Sequence, residues 1–194
     1  MIKALARVSG LCQEISARIA IIDIKNIVGS SVMMKKSPIL TKIVNAIKET
    51  GEEKSRPCYC SASEVFGPVT FGDLLGGARF PQSEGIYIIW GESRETRPLY
   101  VGMTTRGRDR PLAHLKGSMS ESPIREIVRG AKPDCLGWTI FFCPLLGDCD
   151  DSTPWLSSVL LSFERKIAKS LNPWFWHGGL RGDPLDCPYV KSDA

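Results

Sequence analysis

The sequence predicts an α+β domain, on three observations. Two β-prone runs, Gly85-Ile-Tyr-Ile-Ile-Trp90 and Pro98-Leu-Tyr-Val-Gly102, are joined by a short polar loop and read as an antiparallel hairpin. A third run, Leu136-Gly-Trp-Thr-Ile-Phe-Phe-Cys143, has the aromatic and β-branched composition of a strand, and helical patterning separates it from the first two. A long segment then carries Leu156, Val159, Leu160, Phe163, Ile167 and Leu171 at helical spacing.

The remaining elements fall around these. Ser37 as N-cap and Pro38 at the first helical position open an amphipathic helix that presents Ile39, Leu40, Ile43, Val44 and Ile47 and ends at Gly51. From there to Ser83 the chain is rich in Gly, Pro, Ser and Cys, the composition of irregular connection, which puts a domain edge at 75–84. Residues 1–80 are therefore expected as a helical and irregular N-terminal extension, 81–182 as the main domain and 183–194 as a tail. Within the main domain, 109–117 suits a short helix with Pro111 in its first turn. Ser122 and Pro123 open a second, with Ile124, Ile127 and Val128 inward, Arg125 and Arg129 outward, and Gly130 at its end. Ser152 and Thr153 before Pro154 start the last helix and Pro173 stops it, which makes the order strand, strand, helix, helix, strand, helix.

Composition narrows the function class. With 194 residues, 43% of them hydrophobic and 24% charged, the chain can bury one sizeable core and is neither disordered nor fibrous. No run approaches the roughly eighteen apolar residues of a membrane span, so a soluble, cytoplasmic protein without a membrane partner is expected. The seven cysteines lack the spacing of a secreted disulfide scaffold and read as reduced thiols. A formal charge of +4 decides little, but its distribution says more: Arg94, Arg97, Arg106, Arg108, Arg110, Lys116, Arg125, Arg129 and Lys132 crowd into one stretch. That stretch is the expected phosphate-facing surface, with Arg106, Arg108 and Lys116 as nucleic-acid contacts.

The same region holds groups suited to phosphodiester hydrolysis, which needs a base, a cation for the transition state and usually a metal. Glu164 sits in the last helix between the apolar stripe and the polar face marked by Arg165 and Lys166, where a carboxylate can point into a cleft. Arg110 and His114 stand one helical turn apart and can reach one phosphate. Tyr87 and Tyr100 lie in neighbouring strands of the hairpin, where side chains on one face meet. A phenol needs the push of a nearby cation before it serves as a base at neutral pH.

Taken in order, Gly85-Ile86-Tyr87, Tyr100-Val101-Gly102, Arg110, His114 and a helical Glu164 resemble the motif set of the GIY-YIG nuclease superfamily, over roughly residues 84–175. The resemblance implies a small three-stranded antiparallel sheet flanked by helices, here with an N-terminal helical extension. It implies cleavage of DNA with one divalent metal, Mg2+ or Mn2+, held by Glu164. Arg110 would then be the transition-state cation and His114 a contact to phosphate or water. Tyr87 and Tyr100 would share the base and hydrogen-bonding roles, with the proton acceptor left open between them. Two positions depart from the pattern: Trp176 stands where members often carry Asn, and Met103 where many carry Lys. These departures motivate a rival reading, a non-catalytic nucleic-acid-binding module that keeps the fold. Two further features read as structural. Cys58 and Cys60 are too closely spaced for half a zinc site, and Trp174 in the aromatic run after the last helix caps the core, with Trp176 open between core and base stacking.

Overall fold

The computed structural model describes residues 37–50, 58–91, 96–116, 118, 122, 124–125, 127, 134–147, 153–176, 179–181 and 186–189. From Pro38 onward the chain forms one compact unit. Helix α1 (Pro38–Glu49) starts at its proline and buries Ile43, Ala46 and Ile47. Two short strands follow, β1 (Cys58–Cys60) and β2 (Phe66–Thr70), with a 3-10 turn, Ala62–Glu64, between them. Helix α2 (Phe71–Leu75) opens on a capping box in which Thr70 Oγ1 accepts from the Asp73 amide at 3.0 Å and the Asp73 carboxylate accepts from the Thr70 amide at 3.3 Å. Then come β3 (Gly85–Trp90), β4 (Tyr100–Thr104), α3 (Asp109–Leu115), β5 (Thr139–Gly147), α4 (Thr153–Leu171), β6 (Phe175–Trp176) and β7 (Gly179–Leu180).

The strands form one sheet in the order β1-β5-β3-β4-β6-β7, and β2 also pairs with β5. This corrects the expectation of a small three-stranded antiparallel sheet; the α+β class is consistent with the structure. The centre is antiparallel, with β3 between β4 and β5. β1 and β2 lie end to end along the far edge of β5, one against residues 145–147 and the other against 139–142. On the opposite side β6 pairs with β4 in parallel, at Tyr100 and Phe175, which makes the sheet mixed. The added strands come from segments with weak strand signals. β2 carries Pro68, which has no amide hydrogen to donate, and its register with β5 is interrupted between Phe66 and Val69. β6 and β7 are two residues each, below the length at which alternation can be read.

Alternation along β3 divides the interior into two cores. Ile86, Ile88 and Trp90 join Val101, Phe141 and the apolar faces of α1 and α4, including Ile43, Ile47, Leu160, Phe163, Ile167 and Leu171. Tyr87 and Ile89 join Phe71, Leu74, Tyr100, Leu115, Ile140, Phe142 and Trp174 on the other face, under α2 and α3. Every β3 side chain is buried, as expected for a strand covered on both faces.

Cys58 is disulfide-bonded, to a residue outside those described, and the expectation of uniformly reduced thiols is corrected there. Cysteine spacing in the sequence does not report which thiols a fold brings together. Cys60, Cys135, Cys143 and Cys187 are buried and form no disulfide. Among the described residues no helix is long and apolar enough to cross a membrane. Most of the helix expected at 122–130 lies outside the described residues, as do Arg94, Arg129, Lys132 and residues 1–36.

Candidate active site

Tyr87, in the buried middle of β3, lies directly across the ladder from Gly102 of β4, and Tyr100 is two residues before Gly102 on the same face. A Cβ at position 102 would stand 2.5 Å from Cε1 of Tyr100 and 2.6 Å from the Tyr87 hydroxyl oxygen. The glycine is the space the two phenols occupy. Their ring centroids are 5.9 Å apart at an interplanar angle of 32°. Gly102→Ala must therefore push the rings apart or shift β4. We expect a loss of about 1–3 kcal/mol in urea unfolding, the usual cost of overpacking a filled interior, and an unchanged midpoint would contradict this account.

Helix α3 brings His114 against both phenols, with ring centroids 4.8 Å from Tyr100 and 5.8 Å from Tyr87. The His114 Nδ1 shares a 2.6 Å hydrogen bond with Ser122 Oγ, and Nε2 is buried without a hydrogen-bond partner among the described residues. Burial, aided by the Arg110 charge, holds the His114 pKa down to about 4, so the imidazole is neutral at pH 7 and keeps one donor and one acceptor nitrogen. Arg110, one turn earlier, is exposed, and its positive charge acts on Tyr87, Tyr100, His114 and Glu164 alike. It is the exposed cation beside a buried cluster.

Glu164 enters from α4, a helix packed on the opposite face of the sheet from the tyrosines. Its charge nevertheless acts on both phenols. The carboxylate is only 4% exposed, and Trp176 Nε1–H donates to its Oε1 at 2.9 Å. Burial raises the Glu164 pKa; the Trp176 hydrogen bond and the charges of Arg110 and Arg165 act the other way. The phenols are also pushed up. Tyr87 rises well above 10, by burial first and the Tyr100 group second, and Tyr100 rises to about 12, by burial first and the Glu164 charge second. The Tyr87 hydroxyl makes no hydrogen bond of good geometry, although Arg110 and Tyr100 are its polar neighbours. Among the described residues, His114 Nε2 thus retains hydrogen-bonding capacity that no neighbour uses, which is uncommon for a buried polar atom.

All five residues expected at a catalytic centre are brought into one cluster. Arg106 and Arg108 lie just before α3 and Lys116 just after it. Two partners escape a reading of the sequence. Ser122, expected to open a helix, also bonds the imidazole through its hydroxyl. Trp176, noted as a departure from the motif, is the hydrogen-bond partner of the carboxylate. Trp174 is buried, with the Arg97 guanidinium 3.8 Å over its ring. No protein-family model, no curated protein and no solved structure matches the chain.

Proposed function

We propose that the protein is a metal-dependent DNA endonuclease that hydrolyses phosphodiester bonds, the activity implied by its resemblance to GIY-YIG nucleases. The observation that carries the reading is the convergence of Tyr87, Tyr100, His114 and Glu164 in one buried cluster rimmed by Arg110, although they come from four separate elements. A core evolved for stability alone has little reason to bury a carboxylate, an imidazole and two phenols together, since each costs free energy when its polar atoms lack partners.

The donor set fits a hard cation. Among the described residues no group of three His, Cys, Asp or Glu is placed to hold a metal, which disfavours zinc, whereas Mg2+ or Mn2+ takes one or two carboxylates and completes its shell with water and phosphate oxygens. Glu164 would hold it, since Oε2 makes no hydrogen bond within the described residues. When bound, such a cation supplies the positive charge that neutralises the phosphorane and lowers the pKa of water and of nearby phenols.

The chain's own groups perform the rest. The less deeply buried phenol, Tyr100, first gives up its proton to solvent and, as the phenolate, accepts a proton from the attacking water; with a pKa near 12 only about 10⁻⁵ of it is ionised at pH 7 without help, so it depends on neighbouring positive charge. Tyr87, fixed in the strand interior, orients the nucleophile through its hydroxyl. Arg110 reaches out to the equatorial phosphate oxygens, and neutral His114 offers Nε2 to phosphate or water.

Purified full-length protein is expected to nick supercoiled plasmid in Mg2+ or Mn2+ and to stop on chelation by EDTA. Plasmid left intact under all these conditions sinks the proposal, and salt-dependent binding without cutting points instead to a binding module. Replacing Arg106, Arg108 or Lys116 by Ala should weaken DNA binding whatever the sequence, each change lowering the log–log salt slope by about 1. A slope that stays at the wild-type value removes that residue from the interface.

A further inference from the structure

Glu164 is held by an uncharged partner. A buried carboxylate is usually fixed by an arginine or lysine, which cancels its charge. Here the hydrogen bond comes from the indole N–H of Trp176, a group that donates and cannot accept. The indole brings no positive charge to the carboxylate, one oxygen is fixed, and the other is left without a hydrogen bond among the described residues. Arg110 and Arg165 act on it through space only, and neither forms an ion pair with it there.

The tryptophan is itself immobilised. β6 is tied to β4 by the Phe175 amide donating to the Leu99 carbonyl at 2.9 Å, and the Trp174 amide donates to the Pro98 carbonyl at 2.9 Å. The Arg97 guanidinium donates to the carbonyls of Pro173 at 2.9 Å and Arg181 at 3.0 Å, which clamps both ends of the segment that carries Trp176. Its ring is partly buried and packs on the core shared by the sheet, α1 and α4, and the Arg181 guanidinium lies 4.7 Å from its centroid. The N–H is thus aimed by backbone pairing and packing, independently of anything bound to Glu164.

We infer that Trp176 is the positioning residue for Glu164: its indole N–H pins Oε1 without neutralising the carboxylate, so that Oε2 serves as a single-oxygen ligand for a divalent cation. The inference rests on the proposed nuclease reading and assigns the residue that sets its metal affinity. Groups that orient a metal ligand from behind typically account for about 10–100-fold in affinity.

Trp176→Phe keeps an aromatic ring for the core and for Arg181 but removes the donor. In the full chain, Mn2+ binding by titration calorimetry should weaken about tenfold, and the Mg2+ concentration for half-maximal nicking should rise in parallel, with a smaller change in rate at saturating metal. Trp176→His, which restores an N–H, should recover part of the loss. A second readout needs no Trp176 variant. Of the five tryptophan indole N–H signals in the wild-type NMR spectrum, the one displaced by Glu164→Gln identifies Trp176, and it should shift on titration with Mg2+. Wild-type protein that binds Mn2+ and cuts DNA, with a folded Trp176→Phe of equal metal affinity or with no indole signal moved by Mg2+, overturns this inference alone. Wild-type protein that neither binds Mn2+ nor cuts overturns the nuclease reading on which it rests.

Discussion

Glu164→Gln is expected to reduce strand cleavage by at least ~10²–10³-fold, the scale on which a group stabilising transition-state charge acts, while producing a protein that melts later than wild type. The two effects have one physical cause. Burial raises the pKa of Glu164 in the fold, so the folded state holds its proton more tightly than the unfolded chain does. At pH values above that raised pKa the ionised carboxylate therefore costs stability, and the cost disappears when the charge is removed. Glutamine has nearly the same shape, and its amide oxygen can still accept from Trp176 Nε1–H. The melting midpoint at neutral pH should rise as activity is lost, the usual trade between a strained site and a stable fold. Calorimetry and plasmid nicking on the same preparation decide the matter. A variant that melts earlier would make the carboxylate a structural group, and one that still cuts would remove it from the chemistry.

The parts of the fold that are legible in the sequence are those where one physical signal dominates. β3 and β4 show as apolar, β-branched runs because both lie in the sheet interior, and α4 shows through Leu160, Phe163, Ile167 and Leu171 because a long helix repeats its buried stripe. β1 and β2 do not show. Their residues lie at the edge of β5, where Cys58, Gly67 and Pro68 follow no alternating pattern, and edge strands tolerate proline and glycine that interior strands exclude. At the site, the spacing of Tyr87, Tyr100, Arg110, His114 and Glu164 points to residues that the fold brings together. The partners of the reactive groups are hidden because they come from other segments. Nothing about a serine before Pro123 says that it will meet His114, and nothing about an aromatic after Pro173 says that its indole will face a carboxylate. A motif records which side chains have a given chemistry. The hydrogen bonds that aim them depend on tertiary structure.

Acidification from pH 7 to pH 4 should withdraw about 3 kcal/mol of stability through His114 alone, the free energy of moving an imidazole pKa from 6.5 in the unfolded chain to about 4 in the fold. The sign follows from proton counting. Between those two values the unfolded chain binds a proton that the folded protein refuses, so stability is full above pH 6.5 and falls as pH drops toward 4. The refusal has two sources: the ring is buried between Tyr87, Tyr100 and Ser122, where a charge has no solvent, and Arg110 repels a second positive charge from one turn away. Glu164 works in the opposite direction, because its raised pKa lets the fold take up a proton as pH falls, so the wild-type profile alone mixes the two. His114→Gln separates them, since glutamine keeps polar atoms near Ser122 and does not titrate. Urea unfolding at pH 7.0, 5.5 and 4.5 should show the variant destabilised relative to wild type at neutral pH and the gap closing or reversing in acid. Parallel profiles would mean that the imidazole charges freely in the fold, and then His114 could not be the neutral donor and acceptor that the proposed chemistry requires.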